Sequence, residues 1–578
     1  MAFFGRSEAT RNPASRRIFY WTLAASYLTI TSTIIFLTLG YRYSFLEDIF
    51  VYTGSVNFKV EPTNAAITID GKTPPIRHVK NFINDSRHIT GLWPGLHTVG
   101  SNAPGYKPWS KEVRIRSGVA TEFWNVILLR EDYEQIPLNV INPERVFFTP
   151  SGDTLAYAQT EQSDDVDLST LYIPVLTVAE NVAPSTYRIP YASFTTIDKQ
   201  NIEWSPDTRY LATPIRRTHA LPHEEVAISN ALPPSALSAE REDYVVIDRS
   251  QPLRITDPSF ISDPLLDPLD NPVPTIENPA AYVYISEIIG NIQSSNAGTP
   301  LSPRVLRWHP EKQETAFVLV GSDLVSIDLS TIVRNPLTDA VTATITAIAS
   351  DVVAYDFADQ DLYILRSTGE LLRAQNFDVT TASGVFVSDM IADADTLTSD
   401  EMRVIAYDED RVLIIDDARG ALEIYNANES GFVTQLTLLK EGLVNAQFSN
   451  DGKKLLYHTS DSAHVYFVRE WESQPYRAPS TTQTILETDG QIHSVQWTPD
   501  YEHFVAAIDN GLYLAELDDR DTYRVEQFLS RGLADSNIYL DQNEYKLYFT
   551  DTITDDLLKG QINFKSITFP HEKPGIFQ

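Results

Sequence analysis

Along most of this chain, short apolar runs alternate with polar turns, and the turns recur at long intervals. One unit is clearest: an aromatic marker, a polar turn, then an apolar residue seven positions after the marker. It reads Trp204-Ser205-Pro206-Asp207 with Leu211, and Trp497-Thr498-Pro499-Asp500 with Phe504. It recurs as Phe448-Ser449-Asn450-Asp451-Gly452 with Leu455, and as Phe148-Thr149-Pro150-Ser151-Gly152 with Leu155. The flanking runs, such as Ile492 to Trp497 and Lys454 to Tyr457, predict the two strands of a hairpin. Proline in the turn fixes φ, and Asp, Asn or Gly completes the bend.

Eight positions carry the marker: Phe148, Trp204, Trp308, Phe357, Tyr407, Phe448, Trp497 and Leu540. Seven have an apolar partner at plus seven, including Ile364, Ile414 and Leu547; Trp308 has Thr315 there, with Ala316-Phe317 next. From Trp308 onward the markers lie 49, 50, 41, 49 and 43 residues apart. That is the length of one four-stranded propeller blade. Third strands follow, as in Ala463 to Phe467 and Gly511 to Ala515. Stacked sheets bury both faces, so the markers are expected to fill the space between blades, each contributing about 1.5–3 kcal/mol. Residues 131–578 are therefore expected to form a seven- or eight-bladed β-propeller, eight being preferred. Ile136 to Val140 is placed to pair with Gly560 to Phe564 and close the ring. The turn style is similar to TolB-type and WD-like propeller repeats, a resemblance that implies fold and leaves function open.

The regularity breaks between Trp204 and Trp308. The excess lies in residues 216–302, where seven prolines fall within 251–280 among acidic residues. Strand-like Tyr244-Val245-Val246-Ile247 and Tyr282-Val283-Tyr284-Ile285 flank this Pro-rich acidic insert. One blade with loop insertions accounts for it, the insert being either a binding loop or a passive strap.

Near the start, residues 18–40 form 23 uncharged, mostly apolar residues, long enough to cross a bilayer. Arg6, Arg11, Arg16 and Arg17 precede it against one Glu8, and Tyr20, Trp21, Tyr41 and Tyr43 mark its ends. The positive-inside rule predicts a basic cytoplasmic tail, 1–17, and a single-pass helix in the cytoplasmic membrane. The bulk of the chain then lies outside, after a juxtamembrane linker, 41–54. The run exceeds a cleaved signal's apolar core, and no small-x-small site follows.

Residues 55–130 alternate at period two, as in Ser55 to Val60 and Glu112 to Ile115, and Asp70-Gly71 is a strong hairpin turn. A small β-sandwich is expected. The string Pro62-x-x-Ala65-x-Ile67-x-Ile69-Asp70-Gly71-Lys72 resembles the opening of a PEGA domain. Leu92-x-Pro94-Gly95-x-His97-x-Val99, Gly105-Tyr106 and Trp109 resemble its second half. The name-giving tetrapeptide is degenerate, Pro62-Thr63-Asn64-Ala65, and Arg77 to Thr90 is a long insert. The resemblance implies a surface-exposed module with cell-envelope or carbohydrate contacts, and no catalysis. With the anchor and propeller, the organisation resembles bacterial envelope proteins.

Charge separates these parts. The chain carries −33 overall, yet residues 1–54 carry +2 and 55–130 carry +5, leaving −40 on 131–578. Such a surface repels nucleic acid, so no nucleic-acid partner is expected. The absence of cysteine excludes disulfides, thiolate metal sites and cysteine nucleophiles.

Motifs for chemistry are scarce. There is no G-x-S-x-G elbow, H-E-x-x-H helix, P-loop or dinucleotide fingerprint. His223-Glu224-Glu225 lacks a second histidine. His78, His88 and His97 fit no tight ligand spacing. Asp393, Asp395, Asp400 and Glu401 suit calcium chemically but lack the loop glycine, which favours a solvated acidic loop. Asn84-Asp85-Ser86 and Asn428-Glu429-Ser430 match the glycosylation sequon. No catalytic, cofactor or metal site is expected, and the sequence names no binding residue. A non-enzymatic module that is tethered to the lipid bilayer and contacts an envelope protein or cell-wall glycan is the leading expectation. An envelope hydrolase or lyase with carboxylates in the propeller channel is the rival. A passive surface-layer element is the third.

Overall fold

The computed structural model describes residues 13–44, 48–81, 84–162, 169–178, 185–190, 192–195, 202–217, 241–250, 282–290, 302–335, 341–378, 383–391, 401–427, 433–532, 538–552 and 562–569. The chain is mostly β, with one long apolar helix near its start.

That helix spans Pro13–Thr38. It is long and apolar enough to cross a membrane, and none of its apolar window is buried by the rest of the protein. Thr22, Thr29 and Thr33 donate back to the carbonyls of Ile18, Ala25 and Thr29, which removes the cost of carrying hydroxyls on an apolar helix. Within 41–54, strands Tyr41–Ser44 and Ile49–Tyr52 pair into a hairpin.

The next segment forms two facing sheets. One contains Arg77–Asn81, Asn84–Leu92, Gly54–Glu61 and Ala120–Ile127, the last two parallel. The other contains Ala66–Ile69, Gly95–Asn102 and Trp109–Ile115. Between them lie Val56, Phe58, Ile67, Val99, Trp109, Val113 and Phe123. Asp70 (φ 52°) and Gly71 (φ 71°) both take the left-handed conformation of a tight hairpin turn. The Arg77 to Thr90 insert adds a hairpin to the first sheet.

Among the described residues from 136 onward, eight antiparallel sheets follow one another, here lettered A to H. They open with Arg145–Phe148 (A), Glu203–Trp204 with Ala192–Phe194 (B), Pro303–Trp308 (C), Val352–Ala358 (D), Met402–Asp408 (E), Asn445–Phe448 (F), Ile492–Trp497 (G) and Ile538–Asp541 (H). Sheet B has five strands and the others four. Seven apolar clusters each join one sheet to the next, from A–B through G–H. An eighth joins H back to A, through Tyr548 and Phe564 against Leu155 and Tyr157. The sheets therefore form a closed ring, the arrangement of a β-propeller.

Sheet G shows why the strands read as unbroken apolar runs. In His503–Ile508, Phe504, Ala506 and Ile508 face sheet F, while Val505 and Ala507 face sheet H. Alternation puts every side chain against a neighbour, so neither face needs polar residues.

The seam is the one foreseen. Ile136–Ile141 pairs with Ile562–Thr568, with Ile136 opposite Ser566 and Ile141 opposite Asn563. Asn142 clasps it by exchanging hydrogen bonds with Ile562. Phe148 of sheet A stacks on Tyr539 of sheet H with centroids 4.0 Å apart.

The plus-seven rule holds in five hairpins: Phe148 faces Leu155, Trp204 faces Leu211, Phe448 faces Leu455, Trp497 faces Phe504 and Leu540 faces Leu547. Trp308 faces Ala316, one residue later. Two copies differ. Phe357 faces Leu362, so Ile364 pairs with Tyr355. Tyr407 sits in a bulge, and Ile414 pairs with Val404. Both turns are tighter, at Asp359-Gln360 and Glu409-Asp410, which lack the Ser/Thr-x-Asp turn.

Sheet B carries the insertions. Tyr210–Arg217, Arg241–Asp248 and Tyr282–Tyr284 are neighbouring strands of one sheet, as expected of a blade with loop insertions. Ile285–Ile289 is a short helix, where the alternation suggested more strand. Asp243 holds it: its carboxylate accepts from the Ser286 amide (3.1 Å) and hydroxyl (2.6 Å) and pairs with Arg217 at 3.1 Å. The Pro-rich stretch 251–280 lies outside the described residues.

Candidate functional site

The turn motif explains most residues the repeat singles out. Ser205, Ser449 and Thr498 donate to Asp207, Asp451 and Asp500 at 2.6, 2.6 and 2.5 Å. Tyr210 and Lys454 amides donate back to the Ser205 and Ser449 hydroxyls. Each turn is thus internally satisfied. The tryptophans are likewise occupied by packing between sheets.

The residue before five of the markers, Glu203, Arg307, Asp356, Gln447 and Gln496, does something the repeat did not reveal: it links the opening strands of neighbouring sheets. Gln447 donates to the Val495 carbonyl at 2.7 Å, and Gln496 donates to the Ile538 carbonyl at 2.7 Å while accepting from the Leu540 amide. Arg307 pairs with Glu203 and, at 3.5 Å, with Asp356, which accepts from the Ala406 amide at 3.0 Å. These polar residues therefore hold the ring together from inside.

The densest chemistry lies where the two-sheet unit meets sheets F and G. Lys454 and His503 occupy the same position, marker plus six, in consecutive sheets. Lys454 is fully buried, with Nζ 3.3 Å from the Trp471 ring centroid and 5.7 Å from that of Trp497. Nζ makes no hydrogen bond to a described residue. Burial lowers its pKa to about 8, against the pull of Glu502 and Asp451. Burial, reinforced by Asp500, raises Glu502 to about 8. His503 Nδ1 lies 2.7 Å from Asp500 Oδ2. Burial works against the charged forms of both, but their pairing wins: His503 is raised and Asp500 falls to about 2.

The two-sheet unit completes this cluster. Trp109 Nε1 donates to Glu516 Oε2 at 3.0 Å, and buried Lys111 lies 3.5 Å from Glu516 Oε1. Lys111 also donates to the Asp518 and Thr522 carbonyls. Gln474 bonds the Ala120 carbonyl and the Glu122 amide, and Arg520 covers the Phe123 ring at 4.0 Å. Lys107 and Arg524 add bonds to the Gln527 and Pro108 carbonyls. The cavity at this junction is about 30 Å³ and is lined by Phe123, Lys454, Trp471, Glu502, His503 and Glu516. It has room for about one or two waters. The cluster is thus equipped to lock two units together and to hold protons, and it has no room for an organic substrate. A signal for it existed: two basic side chains at matching repeat positions, each directly ahead of an apolar run.

The residues considered from sequence are scattered. His97 bonds Asp70 at 2.7 Å and the Trp93 carbonyl at 2.8 Å, so both ring nitrogens are engaged. His88 meets Asn57. The side chains of His78 and Asn84 lie outside the description, as do residues 223–225, Asp393, Asp395, Asp400 and Asn428. Among the described residues no group of three or more His, Asp or Glu side chains is gathered to hold a metal.

A second cavity, about 410 Å³, lies between sheets B and C. Arg209, Asp248 and Glu314 are among its lining residues, with Arg209 2.6 Å from Glu314 and 3.0 Å from Asp248. Tyr210, Val283, Leu329 and Ile332 give it apolar walls.

No protein family matches the chain by sequence, and no curated protein does. Among solved structures, the chain is similar to the C-terminal WD40 domain of Sif2, at 9% identity over 76% of this chain and 98% of that one (TM-score 0.40). It is similar to the Dos1 propeller, at 12% identity over 77% and 97% (TM-score 0.40). It is also similar to the β-propeller domain of Cps50 (Swd1) from Myceliophteria thermophila, at 12% identity over 75% and 100% (TM-score 0.34). Likeness this remote carries no argument about function, and the ring rests on its own strands and clusters.

Proposed function

We propose that this chain is a membrane-tethered, non-catalytic recognition platform of a cell envelope, contacting a protein or a cell-wall glycan. In this reading 1–17 is the cytoplasmic tail, 18–40 spans the bilayer, 41–54 joins it to a PEGA-like sandwich at 55–130, and 131–578 is an eight-bladed propeller. The bulk of the chain is extracytoplasmic. The observation that carries the reading is the junction: Trp109 and Lys111 reach buried partners in sheet G, so sandwich and ring present one fixed surface. Rigid presentation of a large surface suits recognition, because less ordering entropy opposes binding. The exposed apolar helix supports the tether.

The rival hydrolase gains nothing at the junction. Glu502 and Asp500 differ in protonation as an acid–base pair does, but a sugar ring does not fit a 30 Å³ cavity. The reading is tested by passing solubilised envelope over immobilised ectodomain (residues 41–578) and following protein and glycan separately. Saturable retention without glycan cleavage is expected. Retention of neither, or glycan turnover abolished by a single carboxylate change, overturns it.

A further inference from the structure

We infer that the hairpin of Tyr41–Ser44 and Ile49–Tyr52 is a lipid-binding surface, seated in the headgroup layer where the helix leaves the bilayer. The inference rests on the reading of that helix as membrane-spanning.

The hairpin exposes what a water-facing turn would bury. Ile49 is 52% exposed and Phe50 61%, and Tyr43 and Tyr52 are exposed beside them. Their rings continue the helix surface: Phe36 lies 5.3 Å from Tyr41 and 5.8 Å from Phe50, and Tyr43 lies 5.2 Å from Phe50. One apolar surface thus runs from the helix onto the hairpin. Tyrosine rings with a wet hydroxyl and an apolar body favour the membrane–water boundary. This continuity with a helix exposed along its length selects lipid over a protein partner.

The hairpin is also fixed at both ends. Thr53 donates to the Gly40 carbonyl from its amide (3.0 Å) and its hydroxyl (2.7 Å). Tyr41 stacks on Tyr52 at 4.9 Å. Tyr52 in turn lies against Gly118 of the two-sheet unit, where a Cβ would come within 2.4 Å of its ring. Ser117 donates to the Tyr52 carbonyl. Seating the hairpin in lipid therefore sets the height and tilt of everything beyond it.

The chain has no cysteine, so single introduced cysteines label uniquely. The full chain is reconstituted in phosphatidylcholine vesicles with an environment-sensitive fluorophore at Ile49→Cys, Leu28→Cys or Val333→Cys. Quenching by aqueous iodide is compared with quenching by nitroxide lipids. The Ile49 probe is expected to be quenched by shallow nitroxide lipid, with iodide quenching reduced about threefold or more relative to exposed Val333. The Leu28 probe is expected to respond only to deep nitroxide. If Leu28 responds to deep nitroxide while Ile49 behaves like Val333, the inference is overturned and the anchor stands. If Ile49 is shielded from iodide yet untouched by nitroxide lipid, another copy of the chain covers it and the inference is again overturned. If Leu28 is not quenched by lipid, the anchor reading itself fails and takes the inference with it.

Discussion

At the scale of single residues, the junction cluster makes the ectodomain's stability depend on pH in a calculable direction. Glu502 has a folded value of about 8 against an ordinary 4.5, so the folded state holds its proton more tightly. Its contribution is complete below pH 4.5 and is lost as pH rises to about 8. His503, also raised, acts in the same sense. Lys454 runs the other way: its folded value of about 8 lies below 10.5, so stability returns between pH 8 and 10.5. The difference in melting temperature between wild type and Glu502→Gln is expected to change steadily between pH 5 and 8. Lys454→Met is expected to remove the alkaline recovery. Parallel curves for all three proteins would show that the cluster does not titrate with folding. Sheet B offers a sharper loss. Arg217→Met leaves the buried Asp243 carboxylate without its cation, and the expected cost is about 3–5 kcal/mol in denaturant unfolding. The sequence showed basic residues at matching repeat positions, Lys454 and His503, but not the pairing of Arg217 with Asp243 or of Lys454 with Glu502, whose members are 26 and 48 residues apart and resemble any surface charge.

At the scale of the strand and turn, the sequence was most informative where a turn carries its own chemistry. Ser/Thr-x-Asp and Pro fix the hairpin length, so registers at Trp204, Phe448 and Trp497 could be read directly. The Phe357 and Tyr407 copies mislead because their short turns change register, and alternation alone does not count turn residues. Tyr407 points to the next sheet instead: its hydroxyl donates to the Asn450 carbonyl, and its ring lies against Gly452. Gly452 has φ 62°, and a Cβ there would approach Tyr407 and Arg411 to within 2.5 Å. Gly452→Ala is therefore expected to cost about 1–3 kcal/mol by strain, with a further penalty for the clash. Tyr407→Ala added to it should relieve part of that loss in a double-mutant cycle. Strict additivity would mean the two residues do not meet.

At the scale of the whole molecule, the ring was legible because its unit repeats and its closing strand has a matching partner. The docking of the two-sheet unit was not, since Lys111 and Phe123 read as ordinary strand residues, and Trp109 only as part of the PEGA-like string, until the fold sets them on sheets F and G. Closure has a measurable consequence. An ectodomain lacking residues 41–142 should leave the Ile562–Thr568 edge unpaired and strip sheets F and G of their cover. It is expected to melt lower and to associate with rising concentration by light scattering, whereas residues 41–578 stay monodisperse. Equal stability of the two would contradict the seam and the docking together.

Recognition by one rigid, tethered surface is open to hydrogen-exchange mass spectrometry of residues 41–578, alone and saturated with solubilised envelope. Localised protection on one face of the ring, unchanged exchange at the junction of Trp109 with Glu516 and no glycan product are expected. Absence of any protection, or glycan cleavage accompanying it, would rule out a rigid, non-catalytic recognition platform.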